Sequence, residues 1–261
     1  MTSSLIISTY KWPKALDLVL LSVKNQKVLP TEVIIADDGS DLDTKELIKQ
    51  YQLNFPVPIK HLWHEDIGFT KSVILNKAIA TAQYDYIIQI DGDCIIHECF
   101  VKNHLAAAEK GVYLYGSRVN IQQEYLAKLF SIKQIKFSVF SKGIKKRTRA
   151  LYIPLLAKLY RPSANFSKKY RGCNTSYYKE DAIMINGYDE NFIGWGREDS
   201  EFALRLHNNG IKGKRLRYQG ILYHIFHVEK SKSNLELNNE IELNTIKSKL
   251  KKCINGLDKY L

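Results

Sequence analysis

The stretch YIIQIDGDCII, Tyr86 to Ile96, ends a nearly continuous apolar run by setting two carboxylates, Asp91 and Asp93, one residue apart. Like charges this close repel, and holding them beside an apolar core costs energy unless something positive meets them. A divalent cation is one answer, because Mg²⁺ and Mn²⁺ take oxygen ligands. An ordinary turn is another, with Asp91 capping and Gly92 turning, since D-x-D is a short motif. A third is the aspartyl-phosphate chemistry of certain phosphatases. Those chains usually open with the pair and follow its second acid with a small turn and Thr. Here the pair comes about a third of the way along and is followed by Cys94-Ile95.

Three further groups carry chemistry. EVIIADDGS puts Asp37 and Asp38 at the end of another apolar run, where a helix-capping turn is the bland alternative. GWGREDSEF sets Trp195 in a loop flanked by Gly194 and Gly196, just before Glu198-Asp199. Acids at a helix N-terminus are favoured by the dipole, so a structural cap is the bland reading of Glu198 and Asp199. YHIFH holds His224 and His227, a pair whose spacing suits metal ligation by one or both.

The elements that must position these groups follow from hydrophobic period. Ser4–Thr9, Glu32–Ser40, Pro58–Asp66 and Tyr84–Asp93 read as strands. Between them, residues 15–26, the stretch DLDTKELIKQY and residues 70–82 have helical spacing. Strands alternating with helices imply βαβ units and a mainly parallel sheet, and in such sheets ligands sit at the carboxyl ends of the strands. Asp37, Asp38, Asp91 and Asp93 all fall there. Next come a helix over 97–110, a strand VYLYGSRV, a basic segment and a strand opening RGCNTSYY. A helix over 198–209 stopping at Gly210 and a last strand RYQGILYHIFH follow. From 229 to 261, Leu235, Ile241, Ile246, Leu250, Ile254 and Leu257 recur at loosely helical intervals and predict a packed helical tail.

Taken together and in order, the segments through ADDGSD, then EDIGFT to QIDGDC, then NGYDENFIGWGREDSEFALRL, then YHIFH resemble the family 2 glycosyltransferases of the nucleotide-diphospho-sugar transferase (GT-A) fold. The last two segments are similar to a galactosyltransferase-type C-terminal half. The resemblance spans about residues 4–227. It implies an α/β fold with a mainly parallel central sheet flanked by helices, one GT-A domain over 1–228; the basic insertion at about 126–171 and the helical tail over 229–261 lie outside its informative part. It implies transfer of a sugar from a nucleoside-diphosphate donor, with UDP favoured, to a saccharide or lipid-linked saccharide, with inversion. Asp93 would then bind Mn²⁺ or Mg²⁺ directly and Asp91 the ribose or the metal's water, beside Gly92. Ser8, Thr9, Tyr10 and Asp38 would hold the nucleobase, and Lys71 would approach the phosphates. Asp199 would be the general base with Glu198 beside it. Trp195 and Gly196 would face the acceptor sugar, and His224 or His227 would complete the metal site.

Composition bounds the rest. A chain of 261 residues with 45 % hydrophobic and 25 % charged residues has the make-up of a soluble globular domain. No run approaches the roughly 18 apolar residues of a spanning helix, and MTSSLIISTY lacks the basic region of a signal peptide. Four cysteines without CxxC spacing suggest reduced thiols, and so a cytoplasmic setting. The net charge of +12 is concentrated: residues 126–171 hold 13 Lys and Arg and no acid, interleaved with apolar residues. That pattern suits an anionic membrane surface on the cytoplasmic side, or alternatively a solvated basic face. Nucleic acid is not the expected partner, since a basic patch alone leaves the strand-end acids unexplained. A nucleotidyltransferase on a related sheet and a non-catalytic basic adaptor are the rival functions.

Overall fold

In the computed structural model, which describes residues 1–228 and 233–261, the chain opens with β1 (Ser4–Thr9), α1 (Pro13–Lys24), β2 (Glu32–Asp37) and α2 (Leu42–Leu53). It continues with β3 (Ile59–Trp63), α3 (Lys71–Thr81), β4 (Tyr86–Asp91), β5 (Cys94–Ile96) and α4 (Phe100–Ala107). Then come β6 (Val112–Tyr115), β7 (Arg118–Ile121), α5 (Leu126–Ser131), β8 (Ile144–Lys145) and α6 (Pro154–Ala157). The last stretch holds β9 (Asn174–Tyr178), α7 (Lys179–Met184), α8 (Glu198–Asn208), β10 (Lys212–Arg215), β11 (Leu222–His224) and α9 (Leu235–Ser248).

The main sheet has the order β10-β6-β9-β4-β1-β2-β3 and is parallel except for β9, which runs against both β4 and β6. Alternate residues of its strands face opposite layers. Ile6, Ile34 and Ile87 pack with Ile74 of α3 and Phe202 of α8, while Leu5, Ile7, Val33, Ile35 and Ile88 pack with Leu16 and Val19 of α1. Burial on both faces is why these strands read as continuous apolar runs. Strand order reverses between β1 and β4, and Ser8 pairs with Asp91 in register at that point. A second sheet, β5-β11-β7-β8, sits beside the first. No helix of the described residues is long and apolar enough to cross a membrane.

Two expectations need correction, and one strand was not foreseen. VYLYGSRV is not one strand: the chain breaks at Gly116-Ser117, and β6 and β7 belong to different sheets. A Cβ on Gly116 would lie 2.3 Å from the Asn174 amide, which donates to Ser117 O at 3.1 Å, so the crossing is too close for any side chain. KGKR forms the edge strand β10, although only Gly213 of its four residues is buried and no apolar period marks it. The tail does not pack through its apolar spacing. Residues 229–232 lie outside the described residues. Within α9 the buried positions are Asn238 and Thr245, whereas Ile246 and Ile254 are exposed and Leu257 alone reaches the core. The reason is that α9 meets α8 at a polar contact, where Thr245 Oγ1 donates to Glu201 Oε1 at 3.0 Å.

Candidate active site

The site lies where β1 and β4 end. Ser8 Oγ donates to Asp91 Oδ1 at 2.7 Å, and Lys71 Nζ, from the first residue of α3, donates to the same oxygen at 2.7 Å. Burial disfavours the charged form of Lys71, yet Asp91, Asp199 and Glu198 together hold its pKa well above the ordinary value. Burial likewise opposes ionisation of Asp91, and Lys71 and Ser8 reverse that and lower its pKa. The positive partner of Asp91 is therefore Lys71. The structure leaves Asp91 out of the metal cluster, because its carboxylate is turned to that ammonium.

Asp93 faces the other way. The Gly92 N–H donates to Ser8 O at 2.7 Å, which fixes the turn. Beyond it β5 pairs antiparallel with β11, Cys94 opposite His224, and the Ile225 N–H donates to Asp93 O at 2.9 Å. That pairing brings His224 Nε2 to 3.5 Å and His227 Nε2 to 3.3 Å from Asp93 Oδ2. Among the described residues, Asp93, His224 and His227 form the cluster able to hold a metal, with one ligand atom each, all within 4.8 Å of one another. β11 stops at His224, so His227 reaches the cluster from the chain beyond the strand. Burial is the leading cause of a lowered His224 pKa, which favours the neutral, ligating imidazole. One carboxylate oxygen and two imidazole nitrogens fit a divalent transition ion. They suit Mn²⁺ better than Mg²⁺, which takes oxygen ligands.

Glu198 and Asp199 open α8, where the dipole favours their charge. Glu198 Oε2 accepts the Gly196 N–H at 3.0 Å and is buried. Burial, and then the neighbouring Asp199, push its pKa up to about 7 against the opposing field of Lys71. Asp199 Oδ2 accepts the Gly172 N–H at 2.9 Å, while its Oδ1 is buried without a hydrogen-bond partner. A Cβ on Gly172 would lie 2.0 Å from that Oδ1, so the backbone there must be bare for the carboxylate to sit as it does. Trp195 is half exposed on the same loop.

On the β1–β2 side, the Asp38 N–H donates to Thr9 O at 3.0 Å. The Asp38 carboxylate accepts from Thr70 Oγ1 at 2.7 Å and the Thr70 N–H at 3.1 Å, and lies 2.8 Å from His64 Nε2. Asp37 has the structural part, accepting the Ser40 N–H at 2.8 Å with His61 against its other oxygen. The Tyr10 hydroxyl reaches Asp66 Oδ2 at 3.1 Å, and Lys11 pairs with the same oxygen at 2.7 Å. Sequence reading missed His64, Asp66 and Gly172. The first two sit in the HED–IGFT stretch, whose position after a strand end was the available signal. A cavity of about 200 Å³ among His97, Ile135, Phe137 and Tyr223 shares no residue with this crevice.

Two family models match the chain: glycosyl transferase family 2 over residues 4–168, and the N-terminal domain of galactosyltransferase over residues 159–228. Chondroitin synthase of Escherichia coli is 26 % identical over 225 residues, covering 79 % of this chain and 32 % of its own. The chain thus spans about a third of that relative's length. In fold, it is similar to S. aureus TarS 1-349 in complex with UDP (TM-score 0.61, 17 % identity, 94 % of this chain and 66 % of that one). It is also similar to mannosyltransferase PcManGT from Pyrobaculum calidifontis in complex with GDP-Man and Mn²⁺ (TM-score 0.61, 14 % identity, 95 % and 63 %).

Proposed function

The chain belongs to glycosyl transferase family 2, and from that membership we propose that it moves a sugar from a nucleoside-diphosphate donor onto a saccharide acceptor with inversion at the anomeric carbon. One observation carries the reading. A Lys71-centred group of carboxylates and the Asp93–His224–His227 cluster meet at the strand-order reversal of a parallel sheet. The Asp38 and Tyr10 side of the crevice takes the base. Uridine is favoured by the family pattern, and Asp38 Oδ2, which receives Thr70 N–H, keeps capacity for its ring N–H donor.

Asp93, His224 and His227 would hold Mn²⁺, whose Lewis acidity would stabilise the leaving diphosphate. The chain's own groups perform the rest. Asp91, fixed by Ser8 and Lys71, meets the ribose. Asp199, oriented through Oδ2 by the Gly172 amide, takes the acceptor's hydroxyl proton on its carboxylate. The hydroxyl oxygen then bonds to the anomeric carbon as the bond to the diphosphate breaks. Glu198 keeps the Gly196 loop, and with it Trp195, in place beside the acceptor sugar. The acceptor is proposed to reach the site at an anionic membrane surface engaged by residues 126–171.

A thermal-shift series with UDP, GDP, CDP and dTDP, each with Mn²⁺, Mg²⁺ or EDTA, tests this. At a hundredfold excess over its dissociation constant, a ligand of the folded state adds about 2.7 kcal/mol. A shift for UDP that needs Mn²⁺ and vanishes in Asp93→Ala supports the reading. The absence of any nucleotide shift, or release of pyrophosphate in turnover, overturns it.

A further inference from the structure

Arg118 at the start of β7, Arg215 at the end of β10, and Arg149 and Arg217 in neighbouring turns converge, although three of the four lie outside the basic segment at 126–171. The Gly116-Ser117 crossing is what brings them together. Arg215 Nη2 donates to Ser117 Oγ at 3.3 Å and Arg149 Nη1 to Arg118 O at 3.0 Å. The Arg217 guanidinium carbon lies 4.9 Å from the Tyr218 ring, itself held where Ile153 N–H donates to Tyr218 O at 2.9 Å. A small cleft opens between Ser117, Arg149, Arg217 and Tyr218.

All four arginines are half-buried, and none is within 4.0 Å of a carboxylate of the described residues. Burial first, and then Arg215, Arg217, Arg118 and Arg171, make the charged form of Arg149 less favourable than usual; Lys146 suffers the same from burial, Arg149, Arg118 and Arg171. Like charges drawn together partly out of water without a paired carboxylate are costly, and an oxyanion in the cleft would offset the cost. Guanidinium forks match carboxylate and phosphate oxygens in pairs.

Sheet order says which substrate would bring that oxyanion. The base side, on β1 and β2, lies on one flank of β4, and β6 and β10 lie on the other flank. β7 pairs with β11, Arg118 opposite Leu222 and Asn120 opposite His224, so the cluster adjoins the reacting centre on the side away from the nucleotide. The donor's diphosphate would have a cation held by Asp93, His224 and His227 as its counter-charge, which leaves these arginines to the acceptor. We infer that Arg118, Arg149, Arg215 and Arg217 form an acceptor subsite for a saccharide bearing an oxyanion, either a carboxylate or a phosphate. This inference rests on the transferase reading for the word acceptor, but the binding it predicts needs neither nucleotide nor metal.

The experiment measures binding of fluorescently labelled oligosaccharides in EDTA, without nucleotide, at moderate salt. One probe alternates uronic acid and hexosamine, one is its carboxyl-reduced neutral form, and one is a polyol-phosphate oligomer. Vesicles with and without phosphatidylglycerol form a separate arm. Wild type is expected to bind the uronate or the phosphate probe and not the neutral one, and the responding probe identifies the oxyanion. Arg217→Gln should weaken that binding about tenfold, and Arg149→Gln with Arg217→Gln further, as loss of charge-assisted hydrogen bonds requires. The UDP–Mn²⁺ thermal shift of both variants serves as the check on folding and should match wild type. If wild type lacks that shift yet binds the anionic probe, the transferase reading fails and the oxyanion site stands. Equal binding of neutral and anionic probes, no binding of either anionic probe, or a loss in the variants confined to anionic vesicles overturns the subsite.

Discussion

Asp199 presents two unlike oxygens, Oδ2 tied to the Gly172 amide and Oδ1 buried and unpartnered. Removing the charge while keeping the shape separates chemistry from binding. Asp199→Asn should lower turnover by about a hundredfold to ten-thousandfold, the usual worth of a positioned base, and leave the UDP–Mn²⁺ thermal shift within error of wild type. Full turnover would remove Asp199 from the mechanism. Its neighbour makes a different prediction. Glu198 has an ordinary value of 4.5 and a folded value of about 7, so between those pH values the folded state binds the extra proton. Stability from this group is therefore fully present below the lower value and falls as pH rises through the upper one, by about 3 kcal/mol in all. Denaturant unfolding in EDTA should show Glu198→Gln gaining on wild type between about pH 5 and pH 8, with no gain sinking the assignment. Part of this was legible: the sequence offered Asp93 and both histidines as candidates, and the fold brings those three together, while the role given to each residue, and to the Glu198-Asp199 pair, came from the family resemblance. The pairing of Asp91 with Lys71 was not, because it joins a strand end to a helix start and depends on which way a carboxylate turns.

The elements hold these groups in place, and α8 shows how. Its Arg205 is fully buried and makes two bonds to Glu201, at 2.6 and 2.7 Å, while Thr245 of α9 donates to the same carboxylate at 3.0 Å. Arg205 also donates to Ile185 O, tying α8 to the loop after α7. Removing one partner of such a buried pair leaves an uncompensated charge, so Glu201→Ala should cost about 3–5 kcal/mol in denaturant unfolding, and Thr245→Val only about 1 kcal/mol. A cost for Glu201→Ala below about 1 kcal/mol would mean that the pair is dispensable. This polar contact is also why apolar spacing misjudged the tail: Asn238 and Thr245 are buried in α9, whereas Ile246 is not. Strands buried on both faces, such as β1 and β4, announced themselves as apolar runs. Edge strand β10, with Lys212 exposed and Gly213 buried, carries no such period and is held by its ladder to β6.

At the scale of the molecule, charge is divided in two. Acids gather at the strand ends, while the 13 cations of residues 126–171 lie along a stretch whose count is plain in the sequence; the arginines that join them from β7 and β10 are visible only once the sheets assemble. Within the basic stretch, Phe140 is 89 % exposed, Leu155 74 % and Leu159 73 %. Apolar side chains standing among cations are the arrangement that an anionic lipid surface favours, each Lys or Arg near it contributing about 1 kcal/mol and each buried CH₂ about 0.8 kcal/mol. Peripheral attachment through this face predicts cosedimentation with phosphatidylglycerol vesicles at moderate salt and little with neutral ones. Phe140→Asp combined with Leu155→Asp should release most of the protein while leaving the UDP–Mn²⁺ shift unchanged, because neither residue lines the crevice. Arg149→Gln with Arg217→Gln should leave vesicle binding nearly intact, since that cleft is formed by half-buried groups and not by the exposed apolar ones. Equal sedimentation with anionic and neutral vesicles would show that the stretch is a solvated basic face, and the acceptor would then have to arrive from solution.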